Sequence, residues 1–251
     1  MFSVLPITGL PEIVAGDDLA ALLTARLAEA EPGLQSGDIL VVTQKIVSKA
    51  EGRSVDLADM VPSPEAKALA SEVNKDPALV ELVLRESSAV VRKAPNILIT
   101  RHRSGHVMAN AGIDASNIGS GNGGKVLLLP LDPDASAARF ADAAEEHFGF
   151  RPGVIISDSF GRPWRMGTVN VAIGVAGMPA IIDQRGQADR DGRIMQMTII
   201  AVGDAVAAAA GVAMGECDEG IPAVIVRGLR LAGEHQTSRA IVRPVDEDLF
   251  R

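Results

Sequence analysis

The sequence predicts an α+β fold, with mixed sheets and flanking helices, organised as one unit over residues 1–251. Two observations carry this prediction. Helical patterns cluster in the first third of the chain while strand-like apolar runs adjoin one another in the middle, unlike the regular alternation of a parallel α/β sheet. A hydrophobic content of 47% is enough to fill a sizeable core.

Each element has a local reason. A short strand is expected over residues 2–7. In GDDLAALLTARLAEA, Asp17 stands where an N-cap belongs, and Leu19, Leu22, Leu23 and Leu27 share a helical face. ILVVT reads as a buried strand whose continuation turns polar near Gln44. Ser63-Pro64-Glu65 and Asp76-Pro77 each set a capping side chain before a proline at the first helical position, giving a helical insert near 56–87. Strands follow at about 89–92, 97–103 and 106–111, with Ser104-Gly105 as a hairpin turn, and then at 126–131. A helix is expected over 136–148. GVIISDS reads as a strand ending in Asp158 and Ser159, residues 204–214 as an alanine-rich helix, and IPAVIVRGL as a last strand.

Charge and composition narrow the function. A net charge of -8 disfavours a nucleic-acid surface, which needs clustered Lys and Arg to replace condensed counterions. Small-molecule partners are expected instead. The lone Cys217 allows no internal disulfide and fits a reducing compartment. MFSVLPITGLPEI lacks the basic and long apolar regions of a leader, and the most apolar later stretch, 197–214, is interrupted by Asp204. A cytoplasmic protein with no membrane partner is expected.

The stretch NAGIDASNIGSGNGG, residues 110–124, contains two phosphate-loop patterns. Gly119, Gly121 and Gly124 satisfy G-x-G-x-x-G, and Gly119 to Lys125 satisfy G-x-x-x-x-G-K, with Val126 in place of the hydroxyl residue. Both motifs require a helix N-terminus after the glycines, and KVLLLPLDP reads as a strand. Neither is accepted.

Three acidic positions sit beside glycines or at element ends: Asp114 in NAGIDASN, Asp158 with Ser159 in GVIISDS, and Glu216 in MGECDEGIP. Hard oxygen donors of this kind suit magnesium or manganese, whose sites also draw on substrate phosphates. Aspartates in such places also serve simply as turn formers and caps. Lys45, Lys49, Arg162 and Arg165 are cations suited to phosphate or carboxylate. His102, His106, His147 and His235 have no metal-ligand spacing. Cys217 lies beside Asp218 and Glu219, which disfavours a thiolate nucleophile. On the residues alone, metal-assisted chemistry on a phosphate is suggested, with a metal-dependent phosphohydrolase and a non-catalytic nucleotide-binding module as readings to weigh.

Five stretches in order, LPITGLPEI, GDILVVTQKIVSKAEGR, NAGIDASN, SDSFGRPWRMGTVNVAIG and MGECDEGIPAVIVRGL, resemble the coenzyme F420-0:L-glutamate ligase family, also called F420-0 gamma-glutamyl ligases. The likeness covers essentially the whole chain. It implies two closely associated α+β subdomains in an intertwined homodimer, and GTP-dependent addition of L-glutamate to the deazaflavin precursor coenzyme F420-0. Two divalent ions, Mg or Mn, and potassium are implied as cofactors. Carried over by motif, Asp114 and Asp158 would hold one divalent ion at the catalytic centre, Ser159 and Glu216 a second, with Gln44 facing the metal. The nucleotide would be gripped by Leu10, Pro11, Glu12, Ile13, Lys49, Asn117, Met214, Gly215, Glu216, Cys217, Asp218, Glu219, Gly220 and Ile221. On their chemistry, Arg162 and Arg165 are candidates for binding the substrate. The expected route runs through an acyl phosphate, because a free carboxylate repels a nucleophile and has oxide as its leaving group.

Overall fold

The structure, a computed structural model, describes residues 1–116 and 124–248. Its centre is a five-stranded sheet in the order β1 (Ser3–Ile7), β12 (Ala223–Arg227), β2 (Ile39–Thr43), β8 (Gly153–Arg162) and β9 (Arg165–Ala176). β2 runs parallel to β8, and the other neighbours are antiparallel. The mixed α+β class is therefore observed.

Both faces of this sheet are covered, which is why its inner strands are unbroken apolar runs. Along β2, Leu40 and Val42 point into one core with Leu19, Leu23 and Leu27 of α1 (Leu19–Glu29) and Phe140, Ala141 and Ala144 of α5 (Pro133–Phe148). Ile39 and Val41 point into the other, against Val202, Val206, Ala207 and Ala210 of α6 (Val202–Met214). Gly174 of β9 permits the close seating of α5, since a Cβ there would run into the carbonyl oxygen of Pro133.

A second set of elements packs around its own cores. α2 (Gln44–Ala50) leads through β3 (Ser54–Asp56) to α3 (Pro64–Val73) and α4 (Pro77–Glu86). These helices bury Leu69, Val73, Val80 and Val83 against Leu98 of a three-stranded sheet formed by β4 (Ser87–Ala94), β5 (Ile97–His102) and β6 (Val107–Ala109). β7 (Lys125–Leu127) pairs with β3, and β10 (Ile182–Asp183) pairs with β11 (Ile199–Ile200).

Several boundaries differ from expectation. The cap of α1 is Asp18, which accepts from the Ala21 N–H, while the Asp17 carboxylate takes the Val14 N–H at 2.8 Å and closes the preceding turn. Ser63 and Asp76 cap α3 and α4 as expected. The strand expected over 126–131 is β7 alone, because pairing with β3 ends at Leu127. The helix expected from Ser136 starts at Pro133 behind the Asp132 cap, and that expected from Asp204 starts at Val202. β8 does not end at Ser159 but runs on to Arg162 in a long hairpin with β9.

At the end of the inner strands away from the loops described below, buried Asp38 receives two hydrogen bonds from Arg227, at 2.9 and 2.6 Å, and Arg227 also donates to the Gly33 carbonyl at 2.7 Å.

His106, in the turn between β5 and β6, bonds the Ser104 hydroxyl at 2.9 Å and packs edge-on against Phe160 at 6.1 Å. Burial, followed by the neighbouring His102, pushes its pKa down to about 4. An imidazole held neutral binds fewer protons in the fold than in the unfolded chain between pH 4 and about 6.5, so its contribution is complete above 6.5 and is lost as pH falls toward 4. Urea unfolding across this range should show stability dropping by up to about 1.4 kcal/mol per pH unit from this group. His106→Gln should flatten the slope, and an unchanged slope would contradict the assignment.

Candidate active site

One end of the sheet collects the site. Ile7 of β1 lies opposite Ala223 of β12, Ala223 opposite Val42 of β2, and Val42 beside Ile156 of β8. Residues 8–15 after β1, α2 after β2, residues 214–222 before β12 and residues 157–159 of β8 are thus brought to one level. Thr43 N–H donates to the Pro222 carbonyl at 2.9 Å, fastening two of these segments together. β2 and β8 are parallel, and their carboxyl ends face this region, the usual place for ligands on open sheets.

The pairing of β8 with β9 shifts register between Ile156 and Ser157, opposite Gly174 and Ala172 respectively, leaving Ile173 as the extra residue of a bulge. The extra residue is on β9, where a bulge bends the strand that carries it and increases the local twist. Immediately beyond it, Asp158 and Ser159 enter the wall of a cavity of about 1520 Å³. The wall also contains residues 10–13, Lys45, Lys49, Asn170 and residues 214–221. The volume exceeds the roughly 300–1,000 Å³ common for a single small ligand, leaving room for more than one substrate.

Both lysines that α2 presents to the cavity are paired with carboxylates. Lys45 and Lys49 lie one turn apart on α2. Lys45 Nζ is 2.8 Å from Asp114 Oδ2 and 2.8 Å from Ser116 Oγ, and Lys49 Nζ is 2.6 Å from Glu12 Oε1. Asp114 is fixed by a two-way backbone bridge to Leu127, with bonds of 3.0 and 2.8 Å. Burial acts to raise its pKa, but the Lys45 hydrogen bond and those from Ser116 outweigh it and hold the carboxyl below its usual range. Asp158 goes the other way. Burial first, then the Asp114 and Glu216 carboxylates, push its pKa up to about 7 against the opposing Ser159 N–H and Lys45.

Several expected positions are therefore neighbours, and others are not. Asp158, Ser159, Glu216, Lys49, residues 10–13 and the 214–221 run line one cavity. Asp114 stands at its rim through Lys45, and the adjoining Ala115 contributes to the wall. Gln44 is fully buried beneath the wall, where its Oε1 accepts from Ser48 Oγ at 2.9 Å. Arg162 and Arg165 sit at the far end of the β8–β9 hairpin, outside the cavity lining. Asn117 and the glycines Gly119 and Gly121 fall outside the described residues, and the continuation at Lys125 is a strand, as expected.

Asn170, Thr43 and Lys125 also line the cavity and were not singled out from the sequence. Asn170 had a weak signal, being an amide inside an otherwise apolar strand pattern, TVNVAIGVA, where Asn is disfavoured. Gly211 of α6 faces it, with no space for a Cβ beside the Asn170 amide.

Among the described residues, no three His, Cys, Asp or Glu side chains form a ready-made metal cage. The donor chemistry nevertheless suits a hard divalent ion that completes its shell with phosphate oxygens and water. Asp114, Asp158, Ser159 and Glu216 supply oxygen, and a lysine ammonium already stands among the carboxylates as a stand-in cation.

Paired lysines and opposed carboxylates in a roomy cleft suit polyanionic ligands, bound directly or through cations. Residues 8–228 match the model of the F420-0:gamma-glutamyl ligase family. The chain belongs to this family. It is 44% identical over 254 residues to the coenzyme F420:L-glutamate ligase of Methanothermobacter thermautotrophicus, covering 99% of this chain and 98% of that protein. The enzymes of the same name from Methanopyrus kandleri and Archaeoglobus fulgidus are 47% and 44% identical, covering 94% and 99% of this chain and 92% and 96% of their own lengths.

The 214–221 loop depends on Gly215, at φ +71°, where a Cβ would collide with the Glu219 carboxylate; that carboxylate accepts the Cys217 N–H at 2.9 Å. Gly215→Ala should unseat Glu219 and increase the labelling rate of the exposed Cys217 thiol several-fold. An unchanged rate would show that the loop does not rely on this turn.

Proposed function

We propose that the chain ligates L-glutamate to coenzyme F420-0, driven by GTP: the terminal carboxylate of the precursor takes the gamma-phosphoryl group with release of GDP, and the glutamate amine then attacks the acyl carbon of the resulting acyl phosphate and expels phosphate, giving a gamma-glutamyl amide. Family membership supports the ligation, and the single structural observation that carries the mechanism is the convergence of Lys45, Lys49, Asp158, Ser159 and Glu216 on one cavity. In this reading, residues 10–13, Lys49, Asn117 and residues 214–221 hold the nucleotide, and Asp114, Asp158, Ser159 and Glu216 hold two ions of Mg or Mn, with Gln44 supporting them from below.

A carboxylate attacking a triphosphate brings two anions together. Divalent ions bound here would neutralise charge on the phosphates. Lys49 binds the polyphosphate and orients it toward the sheet end, while the walls formed by α2 and residues 214–221 hold the reacting groups close, replacing encounter by proximity. Ser159 and Asn170, paired across β8 and β9, set the floor on which the acceptor carboxylate lies. The arginines at the hairpin end, Arg162 and Arg165, serve the outer part of an extended substrate. Potassium, the two-part subunit and the intertwined dimer belong to the same reading. Val90 and Val91 of β4, Ile97 of β5 and Val107 of β6 are exposed apolar side chains of the three-stranded sheet, which a second copy would cover. No helix among the described residues is long and apolar enough to cross a membrane.

The test is glutamate-dependent amide formation, with GTP consumption and mass detection of the product. Asp114→Asn and Asp158→Asn, with the fold verified, should each lower the rate roughly a thousandfold, equivalent to about 4 kcal/mol of transition-state stabilisation. Near-normal ligation would reject their role. Glutamate-independent phosphate release would identify a phosphohydrolase instead. Lys49→Ala should weaken GTP binding at least tenfold, and unaltered affinity would remove it from the nucleotide site.

A further inference from the structure

Both lysines of α2 that face the cavity are neutralised by carboxylates, but their partners differ in what they can do. Glu12, the partner of Lys49, has a side chain 73% exposed to solvent. Asp114, the partner of Lys45, is half-buried, fixed by its backbone bridge to Leu127, and close enough to Asp158 for its charge to be felt there. The Lys45 ammonium contacts both Asp114 Oδ2 and Ser116 Oγ at 2.8 Å, and it also acts on Asp158. It thus places a positive charge against the carboxylates gathered on this side of the cleft.

We propose that Lys45 is an internal counter-cation that a divalent ion displaces: its ammonium holds Asp114 and Ser116 until the ion arrives, then turns to the polyphosphate of the nucleotide. The inference rests on the reading of Asp114 as a metal-holding residue. Its physical basis is competition for one carboxylate. An ammonium and a divalent ion cannot both take the same oxygen at short range, and the displaced ammonium loses its partner in a partly desolvated cleft. A phosphate oxygen restores that partner, since lysine binds phosphate as a mobile point charge. Metal and nucleotide binding are therefore positively coupled through the movement of one side chain, in addition to any direct contact between them.

The test is titration of the nucleotide-free, full-length protein with Mn²⁺ alone, following free Mn²⁺ by electron paramagnetic resonance. Lys45→Met keeps the aliphatic stem and removes the competing charge, and should bind Mn²⁺ about tenfold more tightly than the native protein. Lys45→Gln provides a second, polar variant with the same expectation. Lys49→Met, which removes an ammonium paired to Glu12 and not to Asp114, should leave Mn²⁺ affinity unchanged. With Mn²⁺ present, Lys45→Met should bind GTP about tenfold more weakly. Unchanged or weaker Mn²⁺ binding in both Lys45 variants, an equal gain in Lys49→Met, or unaltered GTP binding would each overturn the proposal. Asp114→Asn separates the two levels of inference. If it binds Mn²⁺ as the native protein does, the metal assignment fails. If it loses Mn²⁺ while the Lys45 variants show no gain, the assignment stands and only the exchange fails.

Discussion

The parallel pairing of β2 with β8 is the constraint on which the site depends. Because the two strands run the same way, the start of α2 and the Asp158-Ser159 step emerge on the same side of the sheet. The antiparallel partners β12 and β1 then bring residues 214–222 and 8–15 to that level by register alone. Residues separated by about two hundred positions, such as Leu10 and Met214, become neighbours without a dedicated scaffold. The bulge at Ile173 of β9 lies beside the step of β8 at which its polar residues begin.

Electrostatics explains why such a cluster is tolerable in a stable protein. Carboxylates gathered in a cleft repel one another, and the fold answers each differently. Asp114 has a lysine and two donors from Ser116, whereas Asp158 has mainly the Ser159 N–H and sits closest to the cost of burial. Opposite pKa displacements in neighbouring groups of the same type mark a site arranged for chemistry more than for stability.

How much of this was legible in the sequence follows from the range of the interactions involved. Ser63 and Asp76 announced α3 and α4 because a cap and the proline after it act within one turn. The cores of β2, β8 and β12 were visible as apolar runs. Asp17 was preferred to Asp18 because two adjacent aspartates offer the same local chemistry, and only the turn closed on Val14 distinguishes them. α2 was hidden, since seven residues with β-branched Ile46 and Val47 lack a helical pattern long enough to read. The acidic positions could be named one by one, yet their approach was not readable, because it is set by strand register over long separations. Lys45 could be read as a cation but not as the partner of Asp114, 69 positions away. Asn170 was missed for the same reason, its role arising only from its place opposite Ser159. Membership of the ligase family was legible from five ordered motifs, which pattern and periodicity alone did not supply.

A strand buried on both sides has little in its own apolar residues to fix how far it slides along its neighbours, since Ile39, Leu40, Val41 and Val42 would suit either core after a small displacement. The Asp38–Arg227 pair resolves that ambiguity. Arg227 terminates β12, Asp38 immediately precedes β2, and sliding one strand against the other would strip a buried carboxylate of its guanidinium, leaving it only the Gln35 N–H. An ion pair at the opposite end of the strands thereby acts as the alignment pin of the cavity, and a change there would shift the lysines and carboxylates of the cleft while leaving each of them chemically intact.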